Sequence, residues 1–153
     1  MSVFEELLSK DGKLVYKTKG SSMRPMLREN RDLVVIVPPV SRLQKFDVAF
    51  YRRGEQYVLH RVIGSEDGYY RIRGDNTFSA ERVPDKDVIG VLTSFRRKGK
   101  THAVTEPGYR FYARFWNAIY PLRALWFRVK RCLKSAAKKL CLLPFLKKPD
   151  ERK

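Results

Sequence analysis

The sequence predicts a mainly β domain of antiparallel strands followed by a basic helical extension, and three observations carry that prediction. Up to Pro107, short β-branched and aromatic runs alternate with Gly, Pro and Asp, as strands joined by tight turns do. After Pro107-Gly108, apolar residues recur at helical spacing instead. The charge changes at the same point. Tyr109 to Lys153 holds thirteen Lys and Arg against two acids, a net +11 of the chain's +17. A chain of 153 residues can bury one modest core. The expected organisation is a β-rich core with a short N-terminal helix over 1–107 and an amphipathic helical extension over 108–153.

Taken in order, Ser2 to Lys10 reads as a short helix with Val3, Phe4, Leu7 and Leu8 on one face. It has no basic leading region and carries Glu5 and Glu6, so it does not read as a signal peptide. Lys13 to Lys17 alternates like a strand. Gly20 to Leu27 follows as a turn, in which Gly20 permits backbone angles closed to other residues and Pro25 fixes φ and removes a donor. Asp32 to Val37 contains the continuous β-branched-rich run Leu33-Val34-Val35-Ile36-Val37, ended by Pro38-Pro39. It predicts a buried strand, far short of the roughly 20 residues a membrane helix needs. Phe46 to Arg52, Tyr57 to Ile63, Tyr69 to Arg73 and Val88 to Phe95 read as further strands, with Arg96 to Lys100 as a basic loop. No internal repeat or low-complexity tract interrupts them.

The chemistry-bearing residues fall at the turns and on one strand. Ser21 and Ser22 follow Gly20, His60 lies within Tyr57 to Ile63, and Asp75 follows Gly74. Each has an ordinary structural role when read alone: a turn hydroxyl, a core histidine, an acid holding a turn. Together they are the parts of an activated nucleophile. A serine is weak at its free pKa, so a base must take its proton and an acid must orient that base. A neutral histidine near pH 7 suits the base, its unperturbed pKa lying near 6.5.

The wording around these residues carries a resemblance. Ser22-Met23-x-Pro25, His60-Arg61-Val62 and Gly74-Asp75-Asn76 resemble the boxes of type I signal peptidases. The likeness is to the ER-like branch, in which histidine replaces the lysine base of ordinary bacterial signal peptidases. LexA-type self-cleaving repressors share that superfamily and use lysine. The resemblance runs from about Lys19 to about Gly90 and implies a coiled β peptidase core. It also implies Ser22 rather than Ser21 as nucleophile, because the motif's serine directly precedes methionine, and His60 as base. The acid is Asp75 of the Gly-Asp-Asn box or Glu81, which stands where ER-type relatives carry a downstream aspartate. Met23 and Pro25 would shape the site, and the Ser22 backbone N–H would serve as an oxyanion donor. Asp47-Val48 resembles the family's Gly-Asp-Val box with Phe46 in the glycine's place, a departure that alters a turn and no catalytic atom. Val34, Val35 and Ile36 would suit the small side chains of an extended substrate.

The extension reads as a basic amphipathic segment. Phe111, Phe115, Trp116, Ile119, Leu122, Leu125, Trp126, Val129, Leu133, Ala136, Ala137 and Leu140 form its apolar stripe, and Pro121 is expected to divide it into two helices. Aromatic residues opposite Lys and Arg point to an anionic membrane surface bound through Tyr109 to Lys148, with Trp116 and Trp126 in the interface. Nucleic acid is the alternative partner. The segment cannot span, since each Lys or Arg at mid-bilayer costs roughly 2.5–3.5 kcal/mol. Cys132 and Cys141, if on one helix, lie roughly 13 Å apart along its axis, too far to bridge. With only His60 and His102 besides, no zinc spacing arises, and Ser-His chemistry requires no cofactor.

The expectation is a serine endopeptidase of signal-peptidase type. It would cleave an extended precursor or leader peptide after small residues through an acyl-enzyme, in the cytoplasm or at the cytoplasmic face of a membrane. The alternatives are a non-catalytic membrane-surface or nucleic-acid-binding protein on a peptidase scaffold, or a LexA-like self-cleaving regulator. The self-cleaving regulator would need a DNA-binding domain, for which the short N-terminal helix leaves no room.

Overall fold

The computed structural model describes residues 3–142, so Ser2 of the expected N-terminal helix and residues 143–148 of the expected membrane segment lie outside the described residues. The chain divides into two units, Met1–Asn117 and Ala118–Lys153, which are described separately.

The first unit is mainly β. Helix α1 (Val3–Asp11) precedes strands β1 (Leu14–Lys17), β2 (Leu33–Val37), β3 (Val48–Arg53), β4 (Gln56–Glu66), β5 (Tyr69–Arg73), β6 (Glu81–Pro84), β7 (Val88–Arg97) and β8 (Lys100–Ala103), and helix α2 (Pro107–Ala118) follows. The eight strands form one sheet in the order β1-β2-β7-β3-β4-β5-β6, with β8 on β7, and every pairing is antiparallel. Strand alternation distributes the core over both faces. On β3, Val48 and Phe50 join Leu8, Met26, Val34, Ile36 and Leu92 on one side. Ala49 and Tyr51 join Val62, Tyr70, Ile72 and Val83 on the other. Burying a side chain such as Phe50, 1% exposed, contributes about 1.5–3 kcal/mol.

The expected strands are all present, and two more appear. Strand β6 is short, charged and ends in proline, so nothing in its composition marks it; it pairs at the sheet's edge with β5. The expected basic loop at Arg96 to Lys100 is instead a hairpin. Arg97 pairs with Lys100, and Lys98 and Gly99 both have positive φ, as a type I′ turn requires. Phe46 adopts φ 82, a left-handed backbone conformation that favours glycine over a side chain of this size. Val34 and Ile36 are fully buried in the core rather than available to a substrate.

Helix α2 belongs to this first unit, which moves the boundary later than the expected one after Pro107. Its residues Tyr109, Tyr112, Ala113 and Trp116 share one helical face, and Ala113 is buried. Phe111 and Phe115 occupy another face, exposed and stacked on each other at 5.8 Å.

In the second unit, helix α3 runs Tyr120–Leu142. The break falls just before Pro121, where proline is tolerated in a first helical turn. Described by itself, α3 displays Leu122, Leu125, Trp126, Val129 and Leu133 within one arc, with Arg123, Arg128, Lys130 and Arg131 flanking it. Lys130 lies 5.0 Å from the Trp126 ring centre. The side chains of Ala136, Ala137, Leu140 and Cys141 lie outside the described ones, and Cys132 is exposed with a free thiol. Among the described residues no helix is long and apolar enough to cross a membrane.

Candidate active site

A cleft of about 550 Å³ opens on the first unit and is lined by Ser21, Ser22, Met23, Tyr57, His60, Asn76 and Glu81 among others. Its three chemistry-bearing side chains come from three different elements, each fixed for its own reason.

Ser22 is held by a folded turn between β1 and β2. Thr18 and Asp32 tie the base of the turn: Thr18 N–H donates to the Asp32 carbonyl, Thr18 Oγ1–H is shared between the Arg28 carbonyl at 3.1 Å and the Asp32 carbonyl at 3.3 Å, and Asn30 N–H donates to the Thr18 carbonyl. The fully buried Asp32 carboxylate accepts from Arg28 N–H at 2.8 Å and from the Arg31 guanidinium. Burial alone would raise its pKa, but the bonds from Arg31 and Arg28 prevail and hold it low. Met23, Met26 and Leu27 are buried in the core and anchor the turn's far side. The Arg24–Pro25 peptide is cis and Gly20 has φ 79. The outcome is that Ser22 is half-buried in the cleft while Ser21 is exposed. Among the described residues the Ser22 backbone N–H has no hydrogen-bond partner.

His60 sits on β4 opposite Ala49 of β3 and is 5% exposed. Its Nδ1 lies 3.2 Å from the Tyr51 hydroxyl and 3.6 Å from Glu81 Oε1. Its Nε2 faces the other way. A Cβ added at Gly74 would meet Nε2 at 3.0 Å and the Ser22 carbonyl oxygen at 2.8 Å, so one glycine separates the ring from the serine turn. No larger residue fits there without displacing one of them. Ser22 and His60 form no hydrogen bond with each other; such bonds in empty sites commonly tighten only around a substrate. Burial is the largest influence on His60 and lowers its pKa below the ordinary value, with Glu81 opposing.

The two candidate acids have separate surroundings. Glu81, at the start of β6, accepts from the Tyr51 hydroxyl at 3.3 Å and from Arg53 at 3.0 Å. Asp75 is engaged elsewhere. Its carboxylate accepts two bonds from Arg61, both at 2.8 Å, and one from the Tyr112 hydroxyl at 2.9 Å. Arg61 follows His60 on β4, so alternation sends it to the opposite face, where it is fully buried. It also donates to the Phe46 carbonyl, the Tyr109 hydroxyl and Met26 Sδ. Burial disfavours the Arg61 cation, but Asp75 more than offsets this and its pKa is raised.

The loop around Asp75 is the hub of the site. Asn76 N–H donates to the Ser22 carbonyl at 2.7 Å, and its side chain donates to the Ser21 carbonyl. From the other side, the Trp116 indole donates to the Asp75 carbonyl at 2.9 Å and the ring stacks on Tyr112. The polar N–H of Trp116 and one face of its ring are thus engaged inside the first unit, and the residue is half-buried. Tyr51 was not foreseen as part of the site. Its signal in the sequence is only that it shares a strand face with Ala49, the partner of His60.

The cleft thus brings one hydroxyl, one imidazole and one carboxylate to its lining, from Ser22, His60 and Glu81. No protein-family model matches this chain, and no curated protein matches it with significance.

Proposed function

We propose that the chain is a serine endopeptidase of signal-peptidase type, with Ser22 as nucleophile, His60 as general base and Glu81 as the acid behind it. The observation that carries the reading is that Ser22, His60 and Glu81 line one cleft, where burial pushes the His60 pKa below its ordinary value. In this mechanism Ser22 Oγ attacks the scissile carbonyl while His60 Nε2 takes its proton. The carbonyl oxygen, now anionic, is received by the unpartnered Ser22 N–H. His60 then protonates the leaving amine, and water, activated by the same ring, releases the acyl group. Asp75 holds the loop through Arg61 and reaches His60 only through its charge, a smaller influence on the ring than that of Glu81. The resemblance of the three motifs adds the substrate class: an extended precursor peptide cut after a small residue.

Helix α3 gives the enzyme an anionic membrane surface as its partner. Its apolar arc carries Leu122, Leu125, Trp126, Val129 and Leu133 and is edged by Arg and Lys, which combines buried area with attraction to acidic headgroups. The enzymatic reading is tested with extended synthetic peptides bearing alanine before the candidate bond. The full chain should cleave them, Ser22→Ala and His60→Ala should not, and Ser21→Ala should retain most activity. Cleavage by the Ser22→Ala protein would remove the assignment.

A further inference from the structure

We infer that Tyr51 is a positioning residue that fixes the tautomer of His60; the inference rests on the Ser22–His60 reading above. It follows from counting protons around three close contacts. The Tyr51 oxygen lies 3.2 Å from His60 Nδ1 and 3.3 Å from Glu81 Oε2, while the direct Nδ1 to Glu81 separation is 3.6 Å. The last is too long for a hydrogen bond, so Tyr51 is the group that actually meets the ring.

A tyrosine has one proton to give, a carboxylate only accepts, and a neutral imidazole carries a single N–H. If Tyr51 donated to Nδ1, its oxygen would face the Glu81 carboxylate with no proton between them, in a buried position. If Tyr51 donates to Glu81, its oxygen is free to accept from Nδ1–H. Every contact then contains one proton, and the bond to Glu81 is the stronger, charge-assisted kind. Burial and the nearby Glu81 both push the Tyr51 hydroxyl pKa up, so the proton stays in place across the working range. With Nδ1 protonated, the lone pair is on Nε2, the nitrogen that faces Gly74 and the serine turn. Arg53, bonded to Glu81 Oε1 at 3.0 Å, holds the far end of the chain. Glu81 therefore acts on the ring through the phenol, and the pair Tyr51–Glu81 does the work that one carboxylate does in a plain triad.

The test reads the ring directly in the full chain labelled with ¹⁵N at histidine, above the His60 pKa. There are two histidines, and a His102→Gln variant assigns the signals. Wild-type His60 should show a protonated Nδ1 and a bare Nε2. In Glu81→Gln the carboxamide can donate to the Tyr51 oxygen, which releases the phenol proton to Nδ1 and moves the ring proton to Nε2. In the double variant Tyr51→Phe/Glu81→Gln that switch should be absent. Tyr51→Phe alone should mix the tautomers and lower kcat for peptide cleavage by about tenfold or more with KM little changed. A wild-type His60 protonated at Nε2, or a Glu81→Gln ring indistinguishable from wild type, would overturn the inference. The spectrum reports on the ring whether or not a peptide is cut, so it fails or holds separately from the peptidase assignment.

Discussion

Replacing Asp75 by Asn should cost stability far more than it costs chemistry. The Asp75 carboxylate accepts both Arg61 bonds at 2.8 Å and the Tyr112 hydroxyl at 2.9 Å, and the two ionic side chains are 2% and 0% exposed. Asn keeps the size but removes the charge, leaves Arg61 as a buried cation without its counterion, and points N–H groups at existing donors. Removing one partner of such a pair costs about 3–5 kcal/mol, a large share of the 5–15 kcal/mol typical of a domain. In a domain of this size each kcal/mol moves Tm by roughly 2–4 °C, so the drop is on the order of 10 °C. Thermal unfolding followed by circular dichroism, with urea midpoints as a check at constant m, measures it. At a temperature where the variant is folded, its kcat should stay within a few-fold of wild type. Glu81→Gln should do the opposite: a small change in Tm, since Glu81 is 29% exposed, and a loss of about 10³–10⁴ in kcat. An Asp75→Asn protein with wild-type Tm and a kcat as low as that of Glu81→Gln would refute this division of roles.

Three further outcomes follow from particular contacts. Burial lowers the His60 pKa, so kcat/KM should rise with pH through a value below the ordinary 6.5 and be flat at neutrality; an acid limb centred above 6.5 would contradict it. The same depressed pKa means His60 favours the folded state above its unfolded value, and that contribution is lost as pH falls through the folded pKa. At Phe46, φ 82 stores about 1–3 kcal/mol of strain, so Phe46→Gly should unfold at higher urea than Phe46→Ala, which keeps the strain and loses the same ring; the reverse order would show that the turn is unstrained. The full chain should sediment with anionic vesicles at low salt and partly resist added salt, Trp126→Ser should remove the resistant part, and protein that stays in the supernatant would defeat the membrane partner.

What could be read from the sequence, and what could not, divides along physical lines. The strands carrying His60 and the apolar β2 were legible because β-branched runs and alternation are local signals. Strands β6 and β8 were not, since Glu81–Pro84 and Lys100–Ala103 are short and polar and owe their form to a neighbouring strand. Ser22 was legible through the residues beside it, and the half-buried place of its side chain against the exposed Ser21 comes from Met23, Met26 and Leu27 being drawn into the core. The two acids could not be separated by position in the chain; Arg61 and Arg53 separate them in space. The allegiance of α2 was hidden for a different reason. Periodicity shows that a helix has an apolar face but not what meets it, and Trp116 meets the Asp75 carbonyl and the Tyr112 ring.

The central claim is that Ser22 becomes covalently acylated, and trapping that intermediate tests it most directly. The full chain would be mixed with a peptide substrate or a serine-directed acylating probe, quenched in acid, and mapped by mass spectrometry. The account predicts one adduct on the peptide containing Ser21 and Ser22, placed on Ser22 by fragmentation. The adduct should be abolished in Ser22→Ala, strongly slowed in His60→Ala, and retained in Ser21→Ala. An adduct that persists in Ser22→Ala, or that forms as fast in His60→Ala as in wild type, would contradict it.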